Sequence, residues 1–347
     1  MKPTGWLLMV CVVVMVAGGC SRRTGEVTKA TAEGSEQDLS AVEKAAEEAD
    51  KAIDATENPE EKLAIALDFL DRYPVSEDTG TGFLDSAVYW LVEDLDRPEE
   101  AYELVEGILS QVEDPDTKLE VQMNLAILHS KTGRTDELEE LALVMAREHD
   151  FQYTDYYQVM EMATRAEAWE LAVDQAEASL AFATPEAYQS QYPDMTAEES
   201  EQGGHRRVAL SSAYKGWAQA NLGRAEEAVA TFAAAAPSTS YSFLGADDTP
   251  LHLYWGKTLL LQGDAKGALE KLEVEAIHGD AEAGEVFRQA WIAANGGEAG
   301  LEERLWTLRE EKAKPLPEFT LTDYDGNSLR SSGFAGDVMV VVAWHPT

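Results

Sequence analysis

A repeated spacing of glycines, alanines and large apolar residues limits the folds open to this chain. Gly216, Gly223, Ala228 and Phe232 recur forty residues later as Gly256, Gly263, Ala268 and Leu272. In each set, the first glycine allows two helices to approach closely and the second ends the first helix. The alanine and the large apolar residue then face inward from the second helix. Each set therefore predicts a pair of antiparallel helices.

Helix signals extend this prediction over residues 39–314. Ser40 to Glu43 has the form of a capping box, and prolines that follow Asn58, Arg97 and Thr184 suit a first helical turn. Breaks are expected at residues 80–82, 114–115, 133, 203–204, 223, 263 and 296–297. Helices of about 12–18 residues between short turns predict antiparallel hairpins that stack side by side. The predicted fold is thus mainly α, an α-solenoid.

The repeat resembles the tetratricopeptide pattern, although the spacing exceeds the usual period of about 34 residues and the consensus Trp and Tyr are missing or displaced. A weaker third copy runs through Ala126, Gly133, Leu138 and Ala142, and Leu63, Leu67 and Leu70 suit the end of an earlier second helix. Trp217 and Trp255 are expected in the core. Tyr153, Tyr156, Tyr157 and Trp169 either line a peptide groove or belong to the core, and their helical spacing favours the core.

The N-terminus indicates export. Residues 1–19 combine one early positive charge with an apolar stretch of about a dozen residues, which is too short to span a bilayer but suits a secretion signal. Small residues directly before Cys20 resemble a bacterial lipobox, which implies lipid attachment at Cys20 and a mature chain held on a membrane. The alternative is ordinary signal cleavage. Residues 20–38 are predicted to form a flexible tether. The expected location is the cell envelope on the periplasmic or extracellular side, with the outer membrane favoured.

Residues 315–347 differ from the helical part. Period-two alternation begins at Phe319 and predicts a half-buried strand, turn residues follow at 325–327, and residues 329–336 are expected to form a short connection. The uninterrupted apolar run at 338–344 then predicts a strand covered on both faces of a sheet. The sequence offers no further strands to cover it, so an incomplete domain is expected.

This order of residues resembles the opening of thioredoxin-like oxidoreductases of the redoxin and TlpA-like group. The matching positions are Pro315, Pro317, Phe319, Leu321, Asp323, Gly326, Leu329, Gly336 and Trp344. By this resemblance, His345, Pro346 and Thr347 fill the places before the first redox cysteine, which would come directly after Thr347. An in-frame codon for selenocysteine would account for the ending. A frameshift, a sequencing error or a shortened sequence would do so equally.

The charge, histidine and cysteine content of the chain argues against several classes of partner and cofactor. With 65 acidic and 27 basic residues, the formal net charge is −38, so nucleic-acid binding is not expected. The six histidines lack metal-ligand spacing, and no metal or other cofactor is expected. Cys11 would leave with the signal, so the mature chain has no redox pair.

Two functions remain open. One is a membrane-tethered helical-repeat module with a thioredoxin-like domain that acts on disulfides or peroxides when complete, this chain itself being inactive. The other is a scaffold without catalytic chemistry, whose repeats bind peptides or assembly partners. In either, the repeats are expected to bind a protein or peptide.

Overall fold

The computed structural model describes residues 35–76, 80–239, 249–278, 281–312, 318–322 and 328–330. This part of the chain is mainly helical, as predicted. The helices are α1 (Ser35–Asp54), α2 (Pro59–Arg72), α3 (Thr81–Tyr89), α4 (Pro98–Leu109), α5 (Pro115–Thr132), α6 (Thr135–Glu148), α7 (Tyr153–Arg165), α8 (Trp169–Leu180), α9 (Pro185–Gln191), α10 (Ala197–Asn221), α11 (Ala225–Ala235), α12 (Leu251–Leu261), α13 (Ala265–Leu272), α14 (Ala281–Asn295) and α15 (Leu301–Lys312). A π-helical turn, Trp90–Asp94, extends α3.

Four helical hairpins share one turn geometry. Their turn residues have positive φ: Gly133 (69°), Glu167 (59°), Gly223 (77°) and Gly263 (80°). In each, the next backbone N–H donates to the carbonyl five residues earlier: Arg134 to His129 (2.9 Å), Ala168 to Ala163 (2.8 Å), Arg224 to Gln219 (2.8 Å) and Asp264 to Leu259 (2.9 Å). This is the Schellman ending of an α-helix, which satisfies carbonyls left over in the last turn. The same local chemistry therefore reverses the chain after α5, α7, α10 and α12.

The predicted close approach of helices is confirmed in both copies of the repeat. A Cβ atom added to Gly216 on α10 would lie 2.5 Å from the Phe232 ring on α11. One added to Gly256 on α12 would lie 2.5 Å from the Leu272 side chain on α13. Both partners are fully buried. The glycines thus allow a large side chain of the second helix to lie against the backbone of the first.

Apolar side chains between the hairpins form the core of the described part. The largest fully buried ones are Phe69, Leu84, Val105, Leu128, Leu138, Met145, Met160, Phe232, Leu251, Leu272, Phe287 and Leu308. They come from helices along the whole described helical region. Each hairpin is therefore stabilised by its neighbours, as in other repeat proteins.

Prolines begin helices where the sequence predicted them, after Asn58, Arg97 and Thr184. The Asn58 side chain accepts a hydrogen bond from the Glu60 backbone N–H (3.1 Å), and Thr184 accepts one from the Ala187 N–H (3.1 Å). Asp114 caps α5 in the same way through the Thr117 N–H (2.8 Å). These contacts satisfy backbone donors that the first helical turn leaves without partners.

Two local predictions were wrong. Helix α1 begins at Ser35, so Ser40 lies inside it rather than at its cap, and the helix overlaps the predicted tether. The expected break at Gly203 and Gly204 lies within the continuous helix α10. The absent side chains serve packing here, because a Cβ atom at Gly204 would lie 2.9 Å from the Pro185 backbone nitrogen and one at Gly203 would overlap the Tyr188 ring.

Two short strands follow the helices. Thr320–Thr322 (β1) pairs antiparallel with Ser328–Arg330 (β2), and Leu321 lies opposite Leu329. The first strand occurs where alternation predicted it. The second lies in a stretch predicted as a connection, and the error has a simple cause. Three ladder positions suffice for pairing once the chain reverses, whereas the sequence signal requires a longer apolar run. The apolar run at 338–344 lies outside the described residues, so the thioredoxin-like domain stays a prediction.

Candidate functional site

The first helices of successive hairpins form one continuous surface. Contacts link α5 to α7, α7 to α10, α10 to α12, and α12 to α14. We call the side of these helices that carries Tyr157, Trp217, Leu261 and Glu282 the inner face. In helical-repeat proteins, a surface built from equivalent helices is extended and suits long ligands.

Five aromatic side chains meet at the middle of the inner face. This aromatic cluster consists of Tyr157, Trp169, Tyr214, Trp217 and Tyr254. The Trp217 ring stacks on Tyr254 with centroids 5.4 Å apart, and its edge contact with Trp169 spans 6.5 Å. Tyr214 lies between Tyr157 (5.9 Å) and Tyr254 (5.6 Å). Tyr214 is buried and the other four are half-buried, so the cluster presents aromatic surface to a ligand.

A groove lies beside the aromatic cluster, between α10, α12 and α14. This α12–α14 groove has a volume of about 550 Å³. Its lining consists of Trp217, Lys257, Leu260, Leu261, Glu282, Glu285, Val286 and Gln289. Leu261 is 68 % exposed, which is unusual for a large aliphatic side chain in a folded domain. The groove thus combines an apolar floor with a charged edge, as peptide-binding surfaces do.

Charged groups at the groove are arranged around Lys257. Its ammonium group lies 5.1 Å from the Trp217 ring centre and 5.5 Å from that of Tyr254, and it pairs with Glu282. Burial first, and then the Glu282 and Glu161 carboxylates, raise the pKa of Tyr254 to about 12. The Tyr214 pKa is also raised, by burial first and then by Tyr157, Tyr254 and Glu161. Burial is thus the first cause of both shifts, and nearby carboxylates add to it.

A second groove of about 810 Å³ lies nearer the N-terminal end of the helical region, close to α3, α5 and α7. Its lining consists of Tyr89, Val92, Glu93, Asp96, Pro98, Ser130, Lys131, Thr132 and Arg165. Its charges are paired internally: Lys131 with Glu93, and Arg165 with Glu161 at 3.6 Å. The left-handed backbone of Asp96 (φ 53°) and the π-helical turn form one wall. This groove is more polar than the α12–α14 groove and offers less apolar surface to a ligand.

Arg207 holds the short helix α9 in place between α8 and α10. Arg207 is buried and lies over the rings of Tyr153 (4.3 Å) and Tyr188 (4.7 Å). It donates hydrogen bonds to the Phe182 carbonyl (3.1 Å) and to Gln191. Because the guanidinium contacts Tyr188 and Gln191 of α9 and the Phe182 carbonyl before it, it holds that helix against α7 and α10. This arrangement is structural, and it places Tyr153 in the core.

The sequence predictions for aromatic residues were partly right. Tyr153 is in the core, as their spacing favoured, and Tyr156 packs against Phe151 at 5.2 Å. Tyr157 and Trp169, in contrast, belong to the aromatic cluster. Trp255 is buried as expected.

Trp217 was wrongly predicted to be core, because it is half-buried on the inner face. Trp217 and Lys257 each directly follow the close-contact glycine of a repeat. That equivalence in sequence could have revealed both as inner-face residues.

Other predicted sites are not tested by this structure. Cys20 and the residues expected beside a redox motif, Trp344, His345, Pro346 and Thr347, lie outside the described residues. Within the described ranges, His, Cys, Asp and Glu side chains nowhere gather in threes as a metal site would require. Every helix in that part of the chain is too short or too polar to serve as a membrane span.

Comparison with known proteins finds likeness among solved structures. No protein-family model matches the sequence. No curated protein matches it either. Among solved structures, the chain is similar to a tetratricopeptide repeat protein from Parabacteroides merdae, with 12 % identity and a TM-score of 0.33 over 72 % of this chain and 99 % of that one. The hairpin turns and the glycine contacts, rather than this likeness, define the repeats described above.

Proposed function

We propose that this protein is a scaffold whose helical repeats bind an extended segment of a protein partner on the inner face. The observation that carries the proposal is the aromatic cluster next to the α12–α14 groove. Half-buried Trp and Tyr rings beside an exposed leucine are the side chains that most often contribute binding energy at interfaces. A purely structural cluster would not need the open groove that adjoins it.

Leu261 and Leu143 provide a matched test because both are leucines on helices and both are 68 % exposed. Leu261 lines the α12–α14 groove and Leu143 lies on α6, the second helix of its hairpin. A random peptide library displayed on phage is selected against the whole protein. We expect the selected peptides to lose affinity for Leu261→Gln and to keep it for Leu143→Gln. Equal affinity for both variants would refute binding at this groove.

The proposed scaffold is held at a membrane by lipid on Cys20, in the bacterial cell envelope with the outer membrane favoured. Support comes from the signal-like N-terminus and from the small residues before Cys20. Metabolic labelling with an alkyne fatty acid tests this point. Label on the wild-type protein that is lost in Cys20→Ala is expected, whereas an unlabelled wild-type protein that is secreted in free form would refute it.

Thiol–disulfide or peroxide chemistry is a second candidate function, in a thioredoxin-like domain that begins at residue 315. The antiparallel pair β1 and β2 favours it, because it lies at the start of the segment that resembles such domains. The coding sequence directly after the Thr347 codon provides the test. A Cys or in-frame UGA codon followed by strand-like sequence is expected, and unrelated sequence there would remove this candidate.

A further inference from the structure

The inner face already holds one amino group on aromatic rings. The Lys257 ammonium lies over both Trp217 and Tyr254, within the distance at which a cation is attracted to a ring. Its side chain is only 21 % exposed and is paired with Glu282. This intramolecular contact shows which ligand chemistry the surface accepts, a cationic side chain lying between aromatic rings and a carboxylate.

Three carboxylates lie around this position, each with a basic partner of its own. Glu282 and Glu285 line the α12–α14 groove, where Glu282 pairs with Lys257 and Glu285 pairs with Arg288 at 2.7 Å. Glu161, on α7, contributes to the raised pKa of Tyr214 and of Tyr254. It is 43 % exposed and forms an ion pair with Arg165 at 3.6 Å. The chain as a whole carries a net charge of −38, which attracts basic partners over longer distances.

We propose that the partner segment is basic and apolar in alternation, an inference that rests on the proposed function and specifies its ligand. A lysine or arginine of the partner lies over the aromatic cluster, beside Glu282. A neighbouring apolar side chain enters the α12–α14 groove against Leu260, Leu261 and Val286. Charge complementarity selects this occupant over an acidic segment, which would meet the groove carboxylates at close range.

Lys257 would act as an internal competitor of the partner segment. Because its ammonium occupies the position that suits a partner's cation, Lys257 competes with the ligand for Glu282 and for the Trp217 ring. Removing this amino group should therefore strengthen the binding of a basic peptide. If Lys257 instead contacted an acidic partner, removing its amino group would weaken binding.

Fluorescein-labelled peptides of alternating leucine and lysine provide the first test, with matched peptides in which glutamine or glutamate replaces lysine. Fluorescence anisotropy with the whole protein measures the dissociation constants. We expect the lysine peptide to bind most tightly and to weaken as salt rises, since screening at about 1 M reduces the Debye length to roughly 3 Å. Tightest binding by the glutamine or glutamate peptide, still dependent on Leu261, would overturn this inference and leave the proposed function intact.

Variants of the two central charges complete the test. For the lysine peptide we expect Glu282→Gln to weaken binding by about two- to fivefold and Lys257→Met to strengthen it by a similar factor. Glu140→Gln, on the exposed side of α6, is the charge-matched control and should change nothing. Equal weakening by Glu282→Gln and Glu140→Gln would reduce the effect to the overall charge of the protein. Weaker binding by Lys257→Met would also contradict the proposed geometry.

Discussion

Replacing Gly216 by alanine tests the contact that defines the repeats. The new methyl group would lie 2.5 Å from the Phe232 ring, well inside van der Waals contact. Phe232 is fully buried and stacks on Trp255 with centroids 6.1 Å apart, so its ring cannot move aside into solvent. Overpacking of this kind costs up to about 3 kcal/mol. The better helix propensity of alanine offsets about 1 kcal/mol, which leaves a net loss of up to about 2 kcal/mol.

Urea unfolding followed by far-UV circular dichroism measures this loss, and Gly284→Ala on α14 is the matched control. A Cβ atom at Gly284 meets nothing within 4 Å, so this substitution should stabilise the protein by up to about 1 kcal/mol. The Phe232→Ala background adds a further check, because the enlarged cavity should accept the new methyl group and Gly216→Ala should then cost little. If Gly216→Ala stabilised the wild-type protein as much as Gly284→Ala did, the close approach of α10 and α11 would be refuted.

Five further outcomes are expected. Burial raises the pKa of Tyr153 to about 12; an unfolded tyrosine ionises near pH 10, so stability should be complete below about pH 10 and fall toward pH 12, and Tyr153→Phe should flatten that fall in chemical denaturation. Burial lowers the pKa of His129; the unfolded chain then binds more protons, so stability should decline as the pH falls below about 6.5, and less so in His129→Gln. Gly204→Ala should release α9, because the added methyl group meets the Pro185 backbone; faster amide exchange at residues 186–191 with unchanged exchange in α12 would show it. Purified protein ending at Thr347 should not reduce insulin with dithiothreitol, and deletion of residues 315–347 should leave the helical circular dichroism signal in place; turnover of insulin or loss of helicity would count against the respective statements.

Much of the repeat architecture was predictable because its signals are local. Glycines that must adopt positive φ or lie against a neighbouring side chain are fixed in sequence, and the forty-residue offset aligned two hairpins directly. The hairpin of α7 and α8 was missed because Glu167 occupies the left-handed turn position where the pattern expects glycine. The backbone bond from Ala168 to Ala163 closes that turn in the same way. The sequence pattern depends on glycine at the turn, whereas the fold requires only a left-handed backbone there.

Glycines 203 and 204 show the opposite difficulty. Two adjacent glycines ordinarily favour a break in a helix. Here they lie inside α10, where the absent side chains admit α9 through Tyr188 and Pro185. Only the tertiary contact distinguishes these two uses of glycine. The sequence alone did not contain that information.

The candidate site was less predictable than the fold. Tyr157 and Trp169 stood out in the sequence, yet their partners Tyr214, Trp217 and Tyr254 come from helices far along the chain. Whether an aromatic residue on a helix is buried or faces a ligand depends on the neighbouring hairpins. The exposure of Leu261 follows from the same packing.

Site-specific photocrosslinking in the native host tests whether a partner protein binds on the inner face. Benzoylphenylalanine is placed at position 261 in the α12–α14 groove or at position 143 on α6, two positions with the same 68 % exposure in the wild-type protein. Crosslinking from position 261 should give a discrete product with one partner protein. The attachment site on that partner should lie in a basic and apolar segment. Position 143 should give no such product. Crosslinking to the same partner from both positions, or from position 143 alone, would contradict binding on the inner face.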